Sequence, residues 1–230
     1  MATTSAPSPI RITTERSPGG RAGGSSDLYS RRIVVLPRAS SAVAAETGVW
    51  VAVAAISMCF ASLISALIVR QGIAPDWLHF ELPRILYFNT LILLASSFAL
   101  EASRRSLGKR LDAGTQESPN AQASPGSIFW LCVAIALGGC FVVGQFVAWS
   151  ELAAKGLLLA SSPSSSFFYV LTAAHGLHLL GGMMGLVYAL YRIGRSAGPR
   201  EKVVLGVTSV YWHFMDGLWV FLFVVLAVRT

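Results

Sequence analysis

The sequence predicts an all-α integral membrane bundle of five transmembrane helices with a disordered N-terminal tail. Three observations predict it. Only 13% of residues are charged and 54% are hydrophobic, with a mean hydropathy of +0.61, whereas a soluble domain carries roughly 25% charge. Five apolar stretches follow one another from residue 49, and a spanning helix needs about 20 such residues. The stretches are continuously apolar rather than alternating in segments of about ten residues, which argues against a β-barrel.

Residues 1–46 are rich in Ser, Pro, Gly and Arg and contain SPGGRAGGSS. They cannot bury a core and read as a disordered basic tail. No apolar stretch follows Met1, so no cleavable signal peptide is expected. The membrane domain is then 47–230. Its first helix, 49–69, reads VWVAVAAISMCFASLISALIV and holds no ionisable group except Cys59. The second, 84–105, starts just after Pro83 and continues past Glu101 toward Arg104. It carries Asn89, Thr90, Ser96 and Ser97. Ser and Thr can bond back to their own helix and need no partner, and Asn89 is expected near the outer end, in contact with water. The third, 127–149, carries Gly138, Gly139 and Gly144 and closes on Gln145, Trp149 and Glu151, with Trp149 suited to an aromatic belt. The fourth, 167–191, has Gly181 and Gly185 in GxxxG spacing, with Gly182 beside them. The fifth is 203–228. Small residues let helix backbones approach closely, so Gly138, Gly139, Gly144, Gly181, Gly182 and Gly185 are expected at packing contacts. Cys59, Cys132 and Cys140 all fall inside helices, where buried thiols act as small apolar side chains.

Charge placement gives the topology. Fourteen of the eighteen Lys and Arg fall in the tail, in the 101–126 connection and in the 192–202 connection. The other side holds Arg70, Arg84, Lys155 and Arg229. The positive-inside rule then puts the N-terminus in the cytoplasm and the C-terminus outside. The net charge of +7 is accounted for by topology and anionic lipid, so no nucleic-acid partner is expected.

Polar groups within the spans carry the remaining information. An Asp at a helix centre costs about 2.5–3.5 kcal/mol on insertion scales. Asp216 lies at the centre of the fifth helix and must face other protein. At 100° per residue, His175, His178, Gly182 and Gly185 share one stripe of helix four. Gly206, Ser209, His213 and Asp216 share one stripe of helix five. The short 192–202 connection favours antiparallel neighbours, and counting at 1.5 Å per residue puts His178 and Asp216 level, about 17 Å below the outer ends. They are expected within bonding reach, directly or through water. Three readings stay open for this cluster. A hydrogen-bond clamp, worth about 0.6–2 kcal/mol per bond, is preferred. A proton path is the second, and a metal site using three His and one Asp is the third. HxxH alone is a weak metal signal, because residues three apart on a helix always share a face. The chain holds no P-loop, GxGxxG or CxxCH motif, and no catalytic, cofactor or metal residues are assigned from spacing.

The segments FFYVLTAAHGLHLLGG (167–182) and YWHFMDGLWVFLF (211–223) resemble the last two helices of subunit III of the haem–copper terminal oxidases. ELPRILYFNTLILLASSFALEASRR (81–105) and GCFVVGQFVAWSEL (139–152) resemble two further helices of that family. The resemblance runs from about residue 48 to 230 and is to the shorter, five-helix bacterial form. It implies a non-catalytic accessory subunit of a cytochrome c oxidase in a bacterial inner membrane. Such a subunit packs against subunit I, with subunit II also in the complex. It holds phospholipid between its helices and supports durable proton-coupled oxygen reduction. Haem and copper are then expected in the partner subunits and none in this chain. The resemblance also implies that His175, His178, His213 and Asp216 are packing and hydrogen-bond residues. One departure stands out: the family's first helix usually carries a Ser-acidic pair, and here the pair is Ser57-Met58, so the acidic position is lost at Met58. Alternatives in the same class are the corresponding subunit of a quinol oxidase and an accessory subunit of nitric oxide reductase. An autonomous proton-linked transporter is the alternative from another class, and the lack of inverted repeats argues against it.

Overall fold

The computed structural model describes residues 41–73, 83–112, 125–159, 162–195 and 199–229. They form five helices: α1 (Ser41–Ile73), α2 (Ile85–Asp112), α3 (Pro125–Ala154), α4 (Pro163–Arg195) and α5 (Pro199–Arg229). No strand occurs among the described residues, and all five helices are long and apolar enough to cross a membrane. Each is longer than the apolar stretch that predicts it. At 28 to 33 residues and 1.5 Å per residue, they overreach a hydrocarbon core of about 30 Å. Hydropathy marks only the part in lipid, while the helices run on into polar ends. For the same reason α1 begins at Ser41, inside the stretch expected to be tail; residues 1–40 lie outside the described residues.

The helix ends are written locally. Pro125, Pro163 and Pro199 open α3, α4 and α5, where a missing N–H costs nothing and φ is already helical. Ser162 caps α4: its Oγ accepts the N–H of Ser165 at 3.2 Å, and the Ser165 hydroxyl accepts the N–H of Ser162 at 3.2 Å. This reciprocal pair is a capping box built from two serines. At the end of α3, Gly156 takes a positive φ of 81°. Its N–H bonds Ala153 O at 3.0 Å, while Leu157 N–H bonds Leu152 O at 3.1 Å. That pairing is a Schellman motif, which needs a left-handed residue at this position.

Four helices close a ring: α2 packs on α3, α3 on α4, α4 on α5 and α5 on α2, while α1 rests on α4 and α5. Buried positions repeat with a period of seven. In α2 they are Leu86, Leu93, Leu100 and Leu107. In α3 they are Leu131, Gly138, Gln145 and Leu152 together with Ser127, Ala134, Phe141 and Ala148. In α5, Leu205, Trp212, Trp219 and Leu226 follow the same rule. A seven-residue period keeps one seam facing a neighbour and gives left-handed bundle packing. The α2–α3 seam adds polar rungs. Asn89 Nδ2 donates to Phe141 O at 3.2 Å, Ser96 Oγ to Ala134 O at 3.0 Å and Ser103 Oγ to Ser127 O at 2.8 Å. Each rung advances seven residues on α2 and retreats seven on α3, as antiparallel neighbours require.

The ring centre is aromatic. Trp219 lies 4.9 Å from the Phe141 ring and 4.9 Å from the His175 ring, centre to centre. Its indole N–H donates to Thr90 Oγ1 at 3.1 Å. All four ring helices therefore meet on one side chain. The three cysteines lie on outward surfaces, contrary to the expectation that they are buried: they fall between the seven-residue seams, and lipid accepts a thiol as readily as a core does.

Candidate functional site

Asp216 is the carboxyl nearest the middle of the bundle, and it is buried. Ser97 of α2 donates its hydroxyl to Asp216 Oδ2. The same Ser97 oxygen lies 2.9 Å from His213 Nδ1. A hydroxyl has one hydrogen. While Ser97 donates to Asp216, a His213 tautomer protonated at Nδ1 donates to Ser97; with the hydroxyl turned the other way, Nδ1 accepts from it. Asp216 Oδ1 has no hydrogen-bond partner among the described residues. Toward the α2 end, Arg104 Nη1 donates to Ser209 Oγ at 3.2 Å and pairs with Glu101 at 3.1 Å. Arg105 pairs with Glu101 at 2.9 Å. The α2–α5 face thus carries a column of polar groups: Glu101, Arg104, Ser209, His213, Ser97 and Asp216.

The expected contact between His178 and Asp216 is replaced by this one. His178 Nδ1 lies 2.7 Å from Ala174 O of its own helix, and its ring meets Phe60 edge-on at 5.8 Å. The reason is the way α4 meets α5. Gly182 lies against Tyr211 and Trp212, and Gly185 against Thr208, so that an added Cβ would come within 3.0 to 3.2 Å of them. Tyr211 also donates to His178 O at 3.0 Å. Those α5 positions lie on a different face from Ser209, His213 and Asp216, which is left turned toward α2. The helical stripe carrying Asp216 did not identify the neighbour that it meets. Ser97 was visible only as one of two adjacent serines that could bond their own helix. In fact only Thr90 bonds back, to Leu86 O at 2.8 Å, while Ser96 and Ser97 both reach across. Asn89, expected at water, is buried.

His175 is fully buried, and neither ring nitrogen has a partner among the described residues; it sits between Phe141 and Trp219. Among the described residues no three His, Cys, Asp or Glu side chains form a group that could hold a metal ion. Of the six packing glycines, Gly138 faces Trp212, where a Cβ would come within 2.9 Å, and Gly144 faces the Asn89 carboxamide. Gly181 makes only a distant approach to the Tyr211 hydroxyl at 3.9 Å. Gly139 is a correction, because a Cβ there would meet nothing within 4 Å. One residue shifts the seam by 100°, so adjacent glycines cannot both face it. Met58 points outward, 73% exposed, and Ser57 bonds back to Val53 O at 2.8 Å. Gln145 is buried, and neither carboxamide atom has a partner among the described residues. Trp149 donates to Thr172 Oγ1 at 3.1 Å, and Glu151 pairs with Lys155 at 3.0 Å. Two apolar grooves open sideways. One of about 510 Å³ lies between α1 and α5 beside Phe60, Ile64 and Leu218. The other, of about 210 Å³, lies between α3 and α4 beside Phe146 and Gly176.

The family model described as "Cytochrome c oxidase subunit III" matches residues 71–229. That stretch takes in α2 to α5 and leaves out most of α1, a narrower span than the resemblance from about residue 48. A "Probable cytochrome c oxidase subunit 3" of Mycobacterium tuberculosis is 34% identical over 142 residues, 60% of this chain and 62% of that protein. A protein of the same description from Nocardia farcinica is 36% identical over 106 residues, 44% of this chain and 52% of that protein. A "Cytochrome c oxidase subunit 3" of Synechocystis is 28% identical over 186 residues, 77% of this chain and 72% of that protein. The chain thus spans 62% of the length of the mycobacterial relatives it matches.

Proposed function

The chain belongs to the cytochrome c oxidase subunit III family, and from that membership we propose that it serves as the non-catalytic accessory subunit of a respiratory haem–copper oxidase. The observation that carries the reading is the family match over residues 71–229, which contains both the HGLH segment of α4 and the WHFMD segment of α5. The chain is a multi-pass membrane protein. On this reading it packs against subunit I of a complex that also holds subunit II. Haem and copper reside in those partners, and this chain holds neither. Its own contribution is to hold phospholipid and to sustain proton-coupled oxygen reduction.

Several features support the reading. Buried His175 packs between Phe141 and Trp219, while half-buried His213 and buried Asp216 join α5 to α2 through Ser97. The α1–α5 groove, lined almost wholly by apolar side chains, suits an acyl chain. The relatives are named for cytochrome c, which favours that donor over quinol or a nitric oxide reductase. Charge placement supports a cytoplasmic N-terminus: Arg104, Arg105, Arg192, Arg195, Arg200 and Lys202 fall at helix ends that antiparallel packing brings to one side. A bacterial inner membrane is the setting this implies.

The test is gentle detergent purification through a tag on this chain, followed by a visible spectrum and mass spectrometry of what accompanies it. Haem absorption with large co-purifying membrane subunits is expected. A colourless, solitary five-helix protein would overturn the reading and return the Asp216 cluster to the transporter alternative.

A further inference from the structure

We propose that Ser97, His213 and Asp216 form a proton-exchange site, in which an intramembrane carboxyl trades its proton with the basic end of the bundle through a serine-bridged relay to His213. The geometry is specific. Among the described residues Ser97 is the only hydrogen-bond partner of the Asp216 carboxyl, and it also touches the imidazole. His213 is one helical turn nearer that end and only half-buried. The charges of Glu101 and Arg104 act on its ring. Both residues line a cavity of about 150 Å³, together with Arg105, Lys202, Leu107 and Leu205. That volume admits several waters, each needing roughly 10–15 Å³ on the same measure.

The relay balances without any further reactant. In the first state Asp216 is ionised, Ser97 donates to Oδ2, and His213 Nδ1–H donates to Ser97. A proton from the cavity side binds Nε2 and gives an imidazolium. The Nδ1–H bond then breaks as its proton moves to Ser97 Oγ, while the Ser97 proton moves to Oδ2. The second state holds a carboxylic acid that donates to Ser97, a serine that donates to Nδ1, and a neutral imidazole protonated at Nε2. One proton has entered and the two hydrogen bonds have reversed direction. Release runs the same steps backwards. A serine suits the bridging position because its hydroxyl donates and accepts at once; a clamp between helices would need only one of those functions.

Among the described residues the surrounding elements supply no competing charged or imidazole relay partner. From α2 the facing charges are Glu101 and Arg104. From α4, His175 is enclosed by Phe141 and Trp219, and His178 is turned to its own helix. Helix α1 has no charged residue between Glu46 and Arg70.

The test is infrared difference spectroscopy on the protein as extracted with its partners. Spectra are compared between buffers that bracket carboxyl and imidazole titration, and exchange is timed in deuterated buffer. A carboxylic C=O band that disappears in Asp216→Asn is expected. Its deuterium exchange should slow at least about a hundredfold in Ser97→Ala, the scale of a lost general acid–base group. Ser97→Thr keeps the hydroxyl and should restore the rate, and His213→Gln should slow it as Ser97→Ala does. Absence of any titrating carboxyl band assignable to Asp216 would overturn the proposal. So would unchanged exchange in Ser97→Ala. If that variant does not assemble, equal rates in Ser97→Thr and His213→Gln would overturn it instead.

Discussion

Gly144 and Asn89 show how much one atom decides in this bundle. The Asn89 carboxamide occupies the space beside Gly144 and donates to Phe141 O, so Gly144→Ala forces that side chain to move. A destabilisation of about 1–3 kcal/mol is expected for the overpacked variant. Asn89→Ala alone should cost about 0.6–2 kcal/mol for its bond. Because the two share one space, the double variant should be less damaged than the sum of the singles, a coupling readable by thermal unfolding in detergent; simple additivity would show that the contact carries no energy. At the same scale, Asp216→Ala removes the acceptor of Ser97 and should lower the thermal midpoint of the complex, whereas Asp216→Asn keeps an acceptor and should lower it less. Equal midpoints for the two would count against the Ser97 contact. Gly138, Gly182 and Gly185 were legible as small residues in apolar helices, which mark close approach, whereas the GxxxG spacing paired Gly185 with Gly181, which has only a distant neighbour. The partner of Asp216 was not legible. A helical stripe says which side of a helix is polar but not which neighbour lies there.

At the scale of the element, α2 is the most informative helix. Its four leucines at seven-residue intervals and its Asn89, Ser96 and Ser103 rungs define one continuous seam against α3. The interval was present in the sequence. It was masked because Thr90, Ser96 and Ser97 read equally well as residues that bond their own backbone, and Asn89 as a residue in contact with water. Ser96→Ala and Ser103→Ala should each cost about 0.6 kcal/mol, the usual worth of a hydrogen bond between membrane helices. Ser96→Leu should cost more, because Ser96 has no exposed surface to grow into. Unfolding followed by loss of helicity would check this ranking, and a tolerated Ser96→Leu would mean that the α2–α3 seam is looser than described. The existence of all five helices was legible from hydropathy alone. Their ends were not, because capping residues such as Ser162 and Gly156 lie outside the apolar stretches that gave the helices away.

On the scale of the whole molecule, four helices form a ring about Trp219 and the fifth leans on one side of it. Packing on Trp219 is shared by every ring helix, so Trp219→Ala should be the most damaging single truncation, by about 3–5 kcal/mol. Removal of residues 1–40 takes away none of the described packing and should leave the five helices inserted and helical, which protease protection in membrane vesicles would check. Buried polar groups of this bundle join helices to one another, and on the proposed reading the chain takes a supporting place beside the oxygen chemistry. The most direct measurement is oxygen consumption by the complex purified with and without this chain, at matched haem content. The account predicts that the depleted complex keeps its haem spectrum and an initial rate of oxygen reduction, but loses activity sooner during turnover. A depleted complex with intact haem and no turnover from the first moment would contradict it, since the chain would then be part of the catalytic machinery.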